Sequence, residues 1–315
     1  MGQVTVIVSG FTGHFQGFNG NHTLNITNTD IARGIITIGK THWLQYFKNP
    51  MEILNDLVHH FTGLSTFVTT TNGQLCITAR FRNLDASDQR IKSYNIGMGI
   101  AKIVADKVLN IPYLQHVDYL IDEGIATITA GSKQRGDLAG KDLLGNWHIL
   151  EAKGSSYSFS DYQLRGAKQQ ATRVISIDGS APNTSSYCCT TINESDTTIY
   201  LADPDDDNIN PIRLTIDSDK FLLSYYNKLY SKFATTEEVD IDIGYPQIEN
   251  YRPIYYRLTE TFVVGMLSSI IENLRGNSVR FLDTISAFSE VAKTFESNYI
   301  SIGGDGIILI EENLR

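Results

Sequence analysis

Residues Arg135 to Lys168 read RGDLAGKDLLGNWHILEAKGSSYSFSDYQLRGAK, and the fold turns on how the first part of this stretch pairs with itself. His148-Ile149-Leu150-Glu151-Ala152-Lys153 has the composition of a short strand, on which successive side chains point to opposite faces. Ile149, Glu151 and Lys153 therefore share one face, with the Cα atoms of Glu151 and Lys153 about 6.5–7 Å apart. Upstream, Gly140-Lys141-Asp142 and Leu144-Gly145-Asn146 carry turn residues. Asp137-Leu138-Ala139 can thus run into a hairpin that returns along the Glu151 strand and brings Asp137 beside Glu151.

Beyond Lys153, Ser160 can cap a helix with Gln163 at the reciprocal N3 position, and that helix leads to a strand over Val174–Ile177. Strand, helix and strand in this order predict a crossover that sets Val174–Ile177 parallel to the Glu151 strand. On the upstream side, Ile125–Thr129 is expected to be a strand entering the hairpin. Before it, Ile91, Tyr94, Met98, Ala101, Ala105 and Val108 recur at intervals of three and four, the pattern of a buried helical stripe that ends before Pro112. Gly97 and Gly99 suit close approach to a sheet. They do not complete a phosphate-binding loop, because no third glycine or Lys-Ser pair follows. Asp106 lies on the same helix, where Lys102 four residues earlier predicts an exposed ion pair.

Asp137, a hairpin-length spacer and Glu151-Ala152-Lys153-Gly154 resemble the signature of the PD-(D/E)xK restriction-endonuclease-like superfamily, with Gly136 in place of its usual proline. The resemblance covers Tyr94 to Asp203 and implies an α/β fold with a mixed sheet flanked by helices. It also implies a divalent-metal-dependent endonuclease that hydrolyses phosphodiester bonds, of DNA ahead of RNA, of the kind used in bacterial defence or restriction. In that reading Asp137, Glu151 and the Ala152 carbonyl hold Mg²⁺ or Mn²⁺, hard ions suited to oxygen ligands. Lys153 orients or helps deprotonate the attacking water, Gln163 positions the phosphate or water, and Arg165 and Lys168 hold the nucleic-acid backbone. In the superfamily the helix before the hairpin also lends an acid in some members, for which Asp106 is the candidate. The residues have plainer readings too. Glu and Lys two apart on a strand face form a surface salt bridge worth at most about 1 kcal/mol, and capping accounts for Gln163 equally well. The alternative function is a catalytically inactive module of the same fold that binds nucleic acid or protein partners; retention of Asp137, Glu151 and Lys153 favours the enzyme.

Outward from this core, residues 1–88 read as mainly β, with strands at Val4–Val8, Thr23–Thr27, Gly34–Ile38, Thr66–Thr71 and Leu75–Phe81. One helix interrupts them after Asn49-Pro50-Met51-Glu52, an N-cap, N1 and N3 arrangement, with His59 and His60 at its end. His14, His22 and His42 are scattered and are not expected to bind metal. Residues 89–205 form the expected nuclease core. Within them Asn183–Asp196 reads as an exposed Ser/Thr-rich loop and Thr197–Ala202 as a strand. The acidic run Asp203-Pro204-Asp205-Asp206-Asp207 lacks the glycine and closing glutamate of an EF-hand and reads as a solvated turn.

From residue 206 to 315 the pattern predicts helices at Ser218–Phe233, Thr259–Arg275 and Ser278–Phe295, then a hairpin turning at Gly303-Gly304-Asp305-Gly306. These helices suggest packing, a homo-oligomer or a protein partner. Tyr225, Tyr226, Tyr230, Tyr251, Tyr255 and Tyr256 are candidates for stacking on bases or for an interface.

A net charge of −9 over 315 residues argues against indiscriminate coating of nucleic acid. Residues 133–173, however, carry a net +3, leaving −12 on the remainder. Cys76, Cys188 and Cys189 have neither metal-ligand spacing nor a disulfide framework, as expected in a reducing compartment. No basic start with a long apolar run and no membrane-length segment is present, so a soluble cytoplasmic protein is expected.

Overall fold

In the computed structural model, residues 1–38, 64, 66–129, 135–204, 211–233 and 237–312 are described. The expected helix after Asn49, with His42, His59 and His60, lies outside them, as do the acidic residues 205–207. The chain is mixed α/β, built on a large curled mixed sheet. Its strands are β1 (Gly2–Ser9), β2 (Gly20–Ile26), β3 (Val68–Thr71), β4 (Gln74–Ile77), β5 (Tyr113–His116), β7 (Leu138–Lys141), β8 (Trp147–Ser155), β10 (Thr184–Ile192) and β11 (Thr197–Ala202). They run in the order β3-β4-β1-β11-β10-β8-β7-β5, with β2 also paired to β1.

The hairpin forms as the alternation and turn residues predict. β7 and β8 are antiparallel with Leu138 opposite Leu150 and Lys141 opposite Trp147. Asp142 shapes the turn, since its Oδ1 accepts from the Leu144 and Asn146 backbone N–H groups at 2.9 and 2.7 Å. The strand that leads into the hairpin is β5, paired antiparallel with β7. Ile125–Thr129 instead supplies β6 (Ala126–Ile128), which joins β9 (Val174–Ile177) and β12 (Ile212–Ile216) in a separate three-stranded sheet.

The neighbour parallel to β8 is therefore not Val174–Ile177 but β10, in register from Thr184–His148 to Thr191–Ser155. Asn183–Asp196 is mostly this buried strand rather than an exposed loop. Its Ser/Thr content suggested solvent, but a parallel strand in the middle of a sheet is covered on both faces, and Thr184, Ser186, Cys188, Cys189 and Thr190 are all buried. The three cysteines are free and buried.

In chain order the helices are α1 (Asn28–Ile38), α2 (Ala79–Arg82), α3 (Ala86–Leu109), α4 (Val117–Asp122), α5 (Asp161–Thr172), α6 (Ser218–Phe233), α7 (Pro246–Glu249), α8 (Ser268–Arg275) and α9 (Leu282–Thr294). Gly34–Ile38 thus ends a helix rather than forming a strand. Thr27 and Asp30 cap it reciprocally: the Asp30 N–H donates to Thr27 Oγ1 and the Thr27 N–H to Asp30 Oδ2, both at 2.9 Å. Ile31, Ile35 and Ile38 recur at helical spacing, and the β-branched run Ile35-Ile36-Thr37-Ile38 is what suggested a strand; nearly every residue of α1 is buried, Arg33 among them. The C-terminal region is less helical than its pattern suggested. Of the expected helix Thr259–Arg275, Phe262–Leu267 is β15, within a five-stranded antiparallel sheet with β13 (Glu238–Val239), β14 (Pro253–Arg257), β16 (Ile300–Ile302) and β17 (Ile307–Glu311). The β16–β17 hairpin turns at the expected glycines. Tyr225 and Tyr226 are fully buried core residues, and Tyr255 and Tyr256 are buried as well, so none of the four presents a free ring.

Lys102 and Asp106 are not an exposed pair. Both are buried on α3, where Arg33 from α1 and Asp305 from the β16–β17 turn join them. Lys102 Nζ lies 3.1 Å from Asp305 Oδ2 and 3.6 Å from Asp106 Oδ2, while Arg33 reaches Asp106 at 3.5 Å and Asp305 at 3.6 Å. Tyr225 donates to Asp305 Oδ2 at 2.5 Å, and the Gly304 N–H donates to Asp106 Oδ2 at 3.0 Å. Burial would push the Asp305 carboxyl up, but Lys102 and Arg33 together hold it below the ordinary carboxylate range. This network ties α1, α3, α6 and the C-terminal hairpin to one another, and it commits Asp106 to packing rather than to the hairpin site. Among the described residues no helix is long and apolar enough to cross a membrane.

Candidate functional site

Two close approaches fix the position of the site. α3 lies across β8 through glycines: a Cβ on Gly97 would come within 2.6 Å of the Gly154 Cα, and one on Gly154 would overlap the Ser93 carbonyl oxygen. α5 also packs along β8 and β10, and Ser160 caps it in a full capping box. The Ser160 N–H donates to Gln163 Oε1 at 2.9 Å, and Ser160 Oγ accepts from the Gln163 N–H. These helices flank the C-terminal half of β8.

There the hairpin brings together the residues its sequence predicted. Asp137, just ahead of β7, donates its backbone N–H to Glu151 Oε2 at 3.2 Å. The Ala152 N–H donates in turn to Asp137 Oδ2 at 3.4 Å. Because a strand residue directs its N–H and C=O to the same edge, the Ala152 carbonyl belongs to the edge that faces Asp137. Lys153 Nζ donates to Glu151 Oε1 at 2.6 Å, the side-chain pairing expected of two residues on one strand face.

Glu151 is 1% exposed, whereas the Lys153 side chain is 28% exposed, so the glutamate is closed off and the lysine keeps part of its side chain at the surface. Burial and then the neighbouring Asp137 charge push the Glu151 carboxyl up to about 8, against the opposing pull of Lys153. Burial also raises Asp137, while Lys153 and the Ala152 N–H draw it back. Two carboxylates thus share one lysine, and their joint ionisation leaves a net negative charge in a poorly solvated place. Asp118, on α4, adds a third acidic charge to the field at Asp137 and is itself bonded to Arg135. Cys189 sits opposite Lys153 on β10; its thiol is pushed up to about 12, chiefly by burial, and stays protonated.

The remaining sequence candidates fall outside this centre. Gln163 is exposed at the start of α5, with its side chain engaged in capping. Arg165 is exposed and Lys168 half-buried farther along the same helix, where the Lys168 charge is felt by Tyr187. The glutamine that does reach the site is Gln170, whose Oε1 accepts from Lys153 Nζ at 2.9 Å. A signal for it existed in the sequence: Ala167 and Ala171 mark the face of α5 that packs on the sheet, and Gln170 is the polar residue within that face. Tyr94 was assigned to a buried stripe, yet it is 41% exposed beside the site. Burial of its hydroxyl end, followed by the charges of Asp137 and Glu151, pushes its pKa up, so it remains a neutral donor.

The donor set suits a hard divalent cation. Asp137 and Glu151 offer carboxylate oxygens, the Ala152 carbonyl occupies the same edge, and among the described residues Lys153 is the one cation that draws on both acids. Among the described residues no group of three or more His, Cys, Asp or Glu side chains converges, so most positions around such an ion would belong to water or substrate. No protein-family model matches the chain, and neither the curated proteins nor the solved structures include a match to it.

Proposed function

We propose that the chain is a divalent-metal-dependent nuclease of the PD-(D/E)xK type, with Asp137, Glu151 and Lys153 at its centre. The observation that carries this reading is the mutual hydrogen bonding of Asp137 and the Glu151-Ala152 segment across the hairpin, with Lys153 bonded to Glu151. The order of elements supports it: a helix ahead of the hairpin, the acid-bearing hairpin, a capped helix, and a strand parallel to the acid-bearing one.

A bound Mg²⁺ or Mn²⁺ would be held by Asp137, Glu151 and the Ala152 carbonyl, and would supply Lewis-acid stabilisation of charge on the phosphoryl oxygens. The chain's own groups do the remainder. Lys153, anchored by both Glu151 and Gln170, holds its ammonium beside the two acids, where it orients water and neutralises developing negative charge. Tyr94 offers a neutral hydroxyl to a phosphate oxygen, and Arg165 with Lys168 supplies positive charge on the following helix.

The closed Glu151–Lys153 pair also favours a second reading, a silent binding module in which that pair is structural. Cleavage of plasmid, linear duplex and single-stranded DNA in Mg²⁺ or Mn²⁺ separates the two. The enzyme requires metal-dependent cleavage that is lost in Asp137→Ala and Lys153→Ala proteins. Cleavage undiminished in both variants refutes the site, and a wild type inert with either metal supports the module.

A further inference from the structure

We infer that this site takes an unpaired polynucleotide strand, whose bases stack on tyrosines exposed at its rim. The inference rests on the nuclease reading for what happens to the strand, and on surface chemistry for the strand itself. Among the described residues, eight large apolar or aromatic side chains are exposed, and four of them, Ile91, Tyr94, Tyr157 and Tyr162, lie on the two helices and the strand end that frame the site. Tyr157 and Tyr162 are 73% and 79% exposed, whereas Tyr113, Tyr225 and Tyr226 are buried completely. Tyr157 and Tyr162 present most of their rings to solvent and Tyr94 part of its ring, all on the elements that carry the site, and an aromatic ring exposed in this way is available for stacking.

Their positions are set by the elements that carry the site. Tyr94 is three residues before Gly97, the point where α3 touches Lys153 and Gly154, and its hydroxyl lies within the field of Asp137 and Glu151. Tyr157 stands two residues beyond the end of β8, in a turn held by its own N–H donating to Ser155 Oγ at 3.0 Å. Tyr162 occupies the first turn of α5. Each helix pairs its ring with an exposed guanidinium at helical spacing: Arg90 four residues before Tyr94, and Arg165 three residues after Tyr162. Rings alternating with cations are what a single strand requires, because stacking holds the bases and arginine holds the phosphates. A duplex has the faces of its bases already covered by their neighbours, and it offers these rings nothing. The net charge of −9 disfavours binding spread over the whole molecule.

The test is fluorescence anisotropy of the full chain with 5′-labelled dT20, rU20 and a 20-base-pair duplex in EDTA, where nothing is cut. The expected result is tighter binding of an unpaired strand than of the duplex, with Tyr157→Ala and Tyr162→Ala each weakening it about 5- to 150-fold. Phe at either position restores it, since the ring and not the hydroxyl does the stacking. Comparison of dT20 with rU20 tells which sugar is preferred, and tyrosine dependence with either supports the inference. Duplex binding as tight as single-strand binding, or alanine variants that bind unpaired strands as well as wild type, overturns it. Because metal is absent, failure of cleavage bears on the nuclease reading alone. Tyrosine-dependent strand binding by a protein that cuts nothing leaves this inference standing, and duplex cleavage indifferent to Tyr157 and Tyr162 does the reverse.

Discussion

Replacing Glu151 by glutamine should make the metal-free protein more stable in alkaline solution. Glu151 is buried, and burial together with Asp137 raises its carboxyl to about 8 from an ordinary value of 4.5. Between those two values the unfolded chain has released the proton while the folded chain still holds it. The folded state then binds more protons than the unfolded one, and stability falls as pH rises across that window. At 1.36 kcal/mol per pH unit, the loss by pH 8 amounts to about 3–5 kcal/mol, a large share of the stability of an ordinary domain. Glutamine keeps the shape and an acceptor for the Asp137 N–H but has no proton to lose, so that loss disappears.

Urea unfolding of wild type and Glu151→Gln in EDTA at pH 5, 7 and 9 measures the difference. It should be small at pH 5, grow through pH 7 and level off by pH 9. Excess Mg²⁺ or Mn²⁺ at pH 8 should then stabilise the wild type through binding to the ionised pair, by about 2.7 kcal/mol at one hundred times the dissociation constant, and leave the variant unchanged. A stability difference that stays constant from pH 5 to pH 9 refutes the strained carboxylate, and with it the electrostatic case for a cation.

Gln170→Ala should lower kcat about 10- to 100-fold with little change in KM, because it frees Lys153 without touching substrate, whereas Gln163→Ala should leave kcat unchanged; steady-state cleavage kinetics compare them. Asp305→Asn should cost about 3–5 kcal/mol in urea unfolding, since Lys102 and Arg33 would keep their buried charges after losing a partner. Gly154→Ala should destabilise the fold and abolish cleavage together, as the new Cβ drives α3 away from β8; a stable, active Gly154→Ala protein contradicts the close packing.

The hairpin and its three polar residues were legible in the sequence because everything that forms them is local. Alternation sets the face, turn residues set the register, and Asp142 supplies the turn's hydrogen bonds from within the loop. The same holds for the α5 cap, where Ser160 and Gln163 satisfy each other. What escaped depended on distant partners. β10 has the composition of a loop, and only its place between β8 and β11 makes a buried strand of it. Lys102 and Asp106 satisfy the spacing of a surface pair, and the residues that draw them inside, Arg33 and Asp305, are far away in the chain. α1 had an N-cap signal in Thr27 and Asp30 and a helical period in Ile31, Ile35 and Ile38, yet the β-branched end Ile35-Ile36-Thr37-Ile38 favours a strand when read by itself.

The candidate site divides along the same line, and the division has a physical reason. The groups that would hold a metal must converge to within a few ångströms, which a hairpin achieves with side chains fourteen and sixteen residues apart in sequence. The groups that would hold a polymer are spread over the several nucleotides it spans, and they come from whatever elements border the hairpin. Tyr94 reaches the rim because Gly97 and Gly154 let α3 lie directly on β8, and Gln170 because Ala167 and Ala171 let α5 do the same. Small residues at the two helix–strand contacts thus determine which polar and aromatic side chains meet the hairpin. Enlarging Ala167 should displace Gln170 from Lys153 and disturb the site through packing alone, leaving Asp137, Glu151 and Lys153 in the sequence untouched.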